Sequence, residues 1–363
     1  MFDTPTLTVN LAAVVSNWQL LRSKFSGSET AAVVKADAYG LGMIPVASAL
    51  AKAGCDTFFV ATLEEALTLR EALPDVRILV FSGVGRSEEF AFANHKLIPV
   101  LNSREQIARW KPVAAEHIHA VSVLHIDTAM GRLGLQPDDF HQLIDEDKTI
   151  LESCRIGLIM SHLACGPEAQ HPVNPDQLKL FQKARERVPG IPASLANSAG
   201  IFLDKSYHFD LARPGCSLYG IAPMEEGKNP MAQVAEWTAP ILQVRVTDRD
   251  QGVSYGATAK VKKGTRIATV ASGYADGYLR ILSNKAPAYL GEHKVKLLGR
   301  VTMDMLCFDV SKVPESELGE GKRITLLGDK DGIRVDDLAT AATTIGYEIF
   351  TRIGPRVKRE YKQ

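Results

Sequence analysis

Lys35 stands where an ammonium group is poorly placed. The run Ala31-Ala32-Val33-Val34 before it reads as a buried strand, and Gly40 and Gly42 after it mark a tight turn into a helix. Burial disfavours the charged amine and lowers its pKa from about 10.4. A neutral amine on a rigid strand end is what a Schiff base with an aldehyde cofactor requires; a lysine snorkelling to solvent explains the same position. Arg132, in the loop Met130-Gly131-Arg132-Leu133-Gly134, could clamp a carboxylate bidentately or make a surface ion pair. Asn197-Ser198-Ala199-Gly200 offers amides and a hydroxyl to a phosphate, or simply caps a helix. Arg213-Pro214-Gly215-Cys216 supplies a second amide-rich turn and another arginine. Tyr255 and Tyr274 stand between small residues, which suits ligand contact and ordinary turns alike. His162, at a strand end, is a functional candidate or a satisfied core histidine. His117 and His119 have alternate-residue spacing, but no HExxH or carboxylate cluster accompanies them, so no metal is expected.

These groups need elements to hold them. Short apolar runs recur near 31–34, 57–61, 77–81, 97–101, 121–127, 156–162, 193–197 and 209–213, mostly separated by helical patterns. Alternating strand and helix implies right-handed crossovers and a parallel sheet, and eight such units suit a closed (β/α)8 barrel. An open doubly wound sheet is the rival, but Gly83-Val84-Gly85 does not continue as a dinucleotide fingerprint. In a barrel, chemistry gathers at the carboxyl ends of strands, and Lys35, Arg132, His162, Asn197 and Arg213 all lie at or just after such ends. Asn10 is expected to cap a first helix, and Thr62 with Glu65 to form a capping box. From about 230 the pattern becomes alternating and glycine-punctuated, as in 240–246, 266–270, 295–298 and 323–328. The expected fold is therefore α/β plus β: a TIM-like barrel domain over 1–229 and a mainly β domain over 230–363. Residues 1–10 are expected to pack with the second domain, and 223–230 to link the two.

The bulk properties narrow the partners. The chain has 363 residues, 45% hydrophobic and 23% charged, and its 42 basic side chains equal its 42 acidic ones. That balance offers no basic field for nucleic acid or an anionic membrane. No apolar run is long enough to span a bilayer, and Met1-Phe2-Asp3-Thr4-Pro5 lacks a signal-peptide pattern. Cys55, Cys154, Cys165, Cys216 and Cys307 are scattered and odd in number, which favours reduced thiols in a cytoplasm. A small-molecule substrate is the expectation.

Taken together the motifs resemble the pyridoxal-phosphate-dependent alanine racemases. The stretch from Ala32 to Gly42 is similar to that family's cofactor-lysine signature. Asp127-Thr128-Ala129-Met130-Gly131-Arg132-Leu133-Gly134, Ala196-Asn197-Ser198 and Arg213-Pro214-Gly215 through Tyr219-Gly220 follow in the family's order. So do Val253-Ser254-Tyr255-Gly256, Gly273-Tyr274-Ala275-Asp276-Gly277 and Gly299-Arg300-Val301-Thr302-Met303-Asp304. The resemblance implies interconversion of L- and D-alanine on a pyridoxal 5'-phosphate aldimine, by two bases, in a cytoplasmic head-to-tail homodimer with shared active sites. Such an enzyme supplies D-alanine for peptidoglycan or serves alanine catabolism. Lys35 is implied as the cofactor lysine and first base, and Tyr255, from the partner subunit, as the second. His162 is implied to support Tyr255, and Arg213 to face the pyridine nitrogen. Tyr39, Asn197, Ser198, Gly215 and Cys216 are implied around the cofactor, Arg132 and the Met303 amide at the substrate carboxylate. Two positions depart from the family. His125 replaces a lysine that becomes carbamylated in many relatives and positions the arginine, which predicts a chloride, another acid or looser orientation of Arg132. Pro355 stands where a phosphate-binding tyrosine is expected. A decarboxylase on the same plan, a broader small-amino-acid (serine) racemase and a non-catalytic cofactor carrier are the rivals; Arg213 argues against the first and the Tyr255-bearing domain against the last.

Overall fold

A computed structural model describes residues 4–363. The expectations placed on residues 1–3 lie outside the described residues. Seven parallel strands run in sequence order from Ala32–Val33 through Thr57–Val60, Arg77–Val80, Ile98–Leu101, Ser122–His125 and Ile156–Met160 to Ala193–Ser194. The eighth stave, Leu211–Ala212, pairs in parallel with Glu29–Thr30, while an Asn197–Arg213 bridge joins it to the seventh. Hydrogen bonds from Ala31 N to Ala212 O and from Val33 N to Pro214 O complete the closure. Thr57–Val60 and Ser122–His125 are buried at every residue, as strands must be when side chains fill the barrel inside and helices cover it outside.

The helices start where capping chemistry permits. Asn10 Oδ1 accepts from Ala13 N at 3.0 Å, and Thr62 Oγ1 accepts from Glu65 N at 3.4 Å. The expected capping box does not close, because the Glu65 carboxylate turns away. Its two oxygens accept from Ala36 N (2.6 Å) and Ala61 N (2.7 Å), joining the ends of two staves. Ala36, Asp37, Ala38 and Tyr39 form a left-handed turn, with φ between 52° and 58°. Such backbone costs a non-glycine residue roughly 1–2 kcal/mol. The turn is held from outside: Asp37 Oδ1 accepts from Met43 N at 2.7 Å, and Arg359 donates to Gly40 O at 3.1 and 3.3 Å.

The second sheet has eight strands, in the order Arg266–Val270, Leu306–Asp309, His293–Leu297, Pro287–Leu290, Arg323–Leu327, Ala235–Val246, Thr6–Asn10 and Lys358–Lys362. A further pairing of Ala235–Val246 with Arg266–Val270 curls it on itself. The first strand of the chain therefore belongs to the last sheet, antiparallel to Ala235–Val246 and parallel to Lys358–Lys362. One apolar core runs through barrel and sheet, with Trp18, Trp110, Trp237 and Phe308 fully enclosed. Between them Asn17 donates to Leu218 O and Ala232 O and accepts from Ala232 N, while Asp336 accepts from Ala222 N and Asn229 Nδ2. No helix among the described residues is long and apolar enough to cross a membrane, and all five cysteines are free thiols.

Candidate active site

A cavity of about 540 Å³ opens at the carboxyl ends of the barrel strands. Its wall brings together Lys35, Tyr39, Arg132 and His162 from the early and middle staves. Asn197, Ser198, Arg213, Gly215 and Cys216 come from the last two. Lys35 lies just past the Ala32–Val33 strand, with Nζ 5.6 Å from the centre of the Phe81 ring. Burial, and then the nearby Arg132 charge, lower its amine pKa; Glu65 opposes them. His162 keeps part of its ring open to the cavity, yet the packed atoms around it desolvate it. Burial first, then Arg213, Arg132, Lys35 and His125, hold its pKa well below the usual 6.5, so the ring is neutral.

Arg213 is 2% exposed. Its Nη1 donates to Ser194 Oγ and its Nη2 to Ser161 O, but the buried Nε has no partner within the protein. Burial pushes this guanidinium down to about 9, which leaves it charged at neutral pH. An aimed, charged donor without an acceptor is a place for a ligand atom. Nearby, Gly215 N (3.0 Å) and Ser217 N (3.4 Å) both donate to Ser198 Oγ. A Cβ on Gly215 would stand 2.4 Å from Tyr39 Oη, so only glycine lets the tyrosine lie against this turn. The Asn197 amide oxygen is used locally, accepting from Gly200 N at 3.0 Å. The loop bearing Arg132 is set by Asp127, whose carboxylate accepts from Ala129, Met130 and Gly131 amides at 2.7–3.1 Å.

Tyr347 also lines the cavity, and sequence reasoning missed it. It projects from the helix Gly346–Thr351, its ring 5.7 Å from that of Tyr39, and lines the same stretch of wall as Cys216. Pro355, where a tyrosine was sought, is solvent-exposed past the end of that helix. The available signal was a tyrosine flanked by glycine, the feature that marked Tyr255 and Tyr274. Buried Asn102 was likewise missed; its Oδ1 lies 2.7 Å from His125 Nδ1. On the loop after Ile156–Met160, Cys165, Glu168 and His171 hold their ligand atoms within 4.8 Å of one another. His171 Nδ1 there accepts from Val173 N at 3.3 Å, so the ring is engaged in shaping the loop.

Tyr255 and Met303 do not reach this cavity within one chain. They are 73% and 53% exposed, beside exposed Tyr274 and Met305 on loops of the second sheet. Their backbones are nevertheless firmly held. Ser254 Oγ donates to Arg300 O, Tyr274 N to Thr302 O and Ala275 N to Met303 O. Arg356 ties Asp276 to Asp304, at 3.1 and 2.8 Å.

Against known proteins, the family described as "Alanine racemase, N-terminal domain" matches residues 9–223, and "Alanine racemase, C-terminal domain" matches 234–361. The alanine racemase of Rhodospirillum rubrum is 46% identical over 361 residues, covering 99% of this chain and 96% of the relative. The biosynthetic alanine racemase of Agrobacterium fabrum is 43% identical, covering 98% and 93%. Among solved structures, the Bartonella henselae alanine racemase with covalently bound pyridoxal phosphate superposes with a TM-score of 0.92 at 37% identity. That match covers 99% of both chains.

Proposed function

The chain belongs to the alanine racemase family, and we propose from that membership that it interconverts L- and D-alanine with pyridoxal 5'-phosphate as cofactor. The residues present fit that group. Lys35 has a depressed amine for its aldehyde, and the orphaned Arg213 Nε is a donor for its ring nitrogen. Gly215 leaves a cradle where Ser198 Oγ, the turn amides and the hydroxyls of Tyr39 and Tyr347 can meet its phosphate. When bound, the cofactor delocalises the negative charge left when the α-proton departs.

The remaining work falls to the chain. Racemisation removes a proton from one face of the α-carbon and returns one to the other, so one base on each face avoids turning the substrate over. Lys35 Nζ is the base on one face. Tyr255 Oη of a second copy, steadied by neutral His162, is the base on the other. Arg132, with the Met303 amide of that second copy, takes the substrate carboxylate. Arg213 stays protonated and therefore cannot hand a full proton to the ring nitrogen, which limits charge flow into the ring and curbs transamination. The exposure of Tyr255 and Met303 on well-anchored loops supports a head-to-tail homodimer with shared sites. We take 1–229 and 230–363 as its two domains and the cytoplasm, where free thiols persist, as its compartment. Supply of D-alanine for peptidoglycan and alanine breakdown are both compatible roles.

The observation that carries this reading is one cavity holding a half-buried amine of lowered pKa, an unpaired guanidinium donor and a turn of amides. Exchange of the α-proton of each alanine enantiomer in heavy water tests it. Wild type exchanges both enantiomers, while Lys35→Ala and Tyr255→Phe each lose exchange mainly from one, opposite enantiomer. A protein that binds the cofactor yet neither exchanges nor racemises alanine overturns it.

A further inference from the structure

A lysine carries its amine on a flexible four-carbon stem, so the backbone beneath it must supply the rigidity. The ladder between the first two staves gives out where the Lys35 stem is mounted. Val34 N still donates to Phe59 O at 2.9 Å, but at Ala36 the chain has left the extended conformation, with φ at 52°. A rung between parallel strands needs both of them extended. Beyond Val34 the amides of Ala36 and Ala61 therefore have no partner across the ladder. Water could satisfy them, but water would fix neither.

One side chain takes both. Glu65 Oε1 accepts from Ala36 N at 2.6 Å and Oε2 from Ala61 N at 2.7 Å. One acceptor oxygen for each amide suits an ionised carboxylate, and such bonds are charge-assisted. The carboxylate is itself well placed to hold still. Glu65 lies in the first turn of the helix Leu63–Ala72, its own amide donating to Thr62 Oγ1. Lys35 thus sits between two held amides, Val34 on Phe59 O and Ala36 on Glu65. Because a peptide unit is planar, holding Ala36 N–H also holds the Lys35 carbonyl, and with it the direction in which the side chain leaves the wall. The other supports of the turn act farther along, Asp37 at Met43 N and Arg359 at Gly40 O. Glu65 is also the influence that raises the Lys35 pKa, against burial and Arg132.

We propose that Glu65 is a positioning residue: by stapling Ala36 to Ala61 it fixes the mount of Lys35, so that the amine meets one face of the α-carbon in a constant geometry. This rests on the reading of Lys35 as the base on one face. Ala61 and Thr62 line the cavity beside Lys35, and Glu65 stands behind them, acting through the backbone rather than on the substrate.

The test compares α-proton exchange of the two alanine enantiomers in heavy water for cofactor-loaded wild type, Lys35→Ala and Glu65→Gln. Lys35→Ala identifies the enantiomer whose exchange depends on the amine. Glu65→Gln keeps one acceptor oxygen but turns an NH2 group toward one of the two amides. Exchange of the Lys35-dependent enantiomer should fall about tenfold, while that of the other stays within about threefold. General damage to the barrel would slow both alike. Amide hydrogen exchange, read by mass spectrometry over peptides spanning 34–40 and 58–63, follows the staple without turnover. It should quicken about tenfold at both Ala36 and Ala61 in Glu65→Leu. Equal slowing of both enantiomers, no slowing of either, or unchanged amide exchange in Glu65→Leu overturns the proposal. If Lys35→Ala shows no preference between enantiomers, the one-sided role of Lys35 falls, and the proposal with it. If that preference is present and Glu65→Gln lacks it, only the role of Glu65 falls. Should Glu65→Leu not fold, the enantiomer preference of Glu65→Gln alone decides.

Discussion

Gly215→Ala places a methyl group where the structure has least room for one. The backbone itself permits alanine, because φ is −128°, outside the left-handed region. Space does not. The added Cβ would lie 2.4 Å from Tyr39 Oη and 3.2 Å from Tyr39 Cζ, with Val33 Cβ behind at 3.4 Å. An ordinary contact needs roughly one ångström more, and Tyr39 cannot retreat freely, since its ring packs on Tyr219 at 4.7 Å. Overpacking of this kind costs about 1–3 kcal/mol of folding stability. If Tyr39 meets the cofactor phosphate as proposed, turning its hydroxyl away should also weaken cofactor binding about 10- to 100-fold. Urea unfolding of the apoprotein reads the first effect, and cofactor titration by absorbance reads the second. The double variant Gly215→Ala/Tyr39→Phe separates them. Without Oη the closest approach relaxes to the 3.2 Å ring contact, so stability recovers, while cofactor affinity stays low because the hydroxyl is gone. A double variant no more stable than Gly215→Ala refutes the steric argument. Wild-type cofactor affinity in Gly215→Ala refutes the cradle.

Two more predictions concern the frame around the site. His125 and His162 have pKa values below the usual 6.5, so the unfolded chain binds more protons than the folded one once pH falls below that value. Stability should then be full above pH 6.5 and decline below it, His125 alone contributing roughly 3 kcal/mol between 6.5 and about 4; in His125→Gln, urea unfolding should show a shallower acid slope, and an unchanged slope contradicts the assignment. Arg359→Met removes donors to Gly40 O, Val357 O and Ile353 O and should cost about 2 kcal/mol in urea unfolding; a loss below about 0.5 kcal/mol shows that the left-handed turn is held by other contacts.

What could be read from the residues, and what could not, divides by range. The staves were legible because short β-branched runs alternating with helical patterns fit few folds besides a parallel sheet, and the second sheet announced itself by strict alternation between glycine turns. Lys35, Arg132, His162 and Arg213 were legible as a group because a barrel collects strand ends at one mouth. The left-handed turn from Ala36 to Tyr39 was not, since Ala-Asp-Ala-Tyr has no local reason to adopt it. Its causes are the remote carboxylate of Glu65 and the still more remote Arg359. Glu65 itself misled for the same reason: a capping box is a local pattern, and a tertiary demand for two amides overrode it. Tyr347 escaped because it reaches the cavity through the packing of a helix far along the chain, which no spacing near the other site residues signals.

The strand Thr6–Asn10 has a consequence for how the molecule is made. Both of its neighbours, Ala235–Val246 and Lys358–Lys362, leave the ribosome long after it does. Apart from the closing pair of Leu211–Ala212 with Glu29–Thr30, the barrel staves pair with neighbours close in sequence and can assemble as they emerge, whereas the opening strand keeps one edge unpaired until Lys358–Lys362 arrives. A nascent chain stalled short of Lys358 carries a finished barrel and an open sheet edge, the kind of edge that recruits other chains. The earliest strand of the second sheet to be synthesised is flanked by the latest, so that sheet is complete only once the ribosome has passed Lys362.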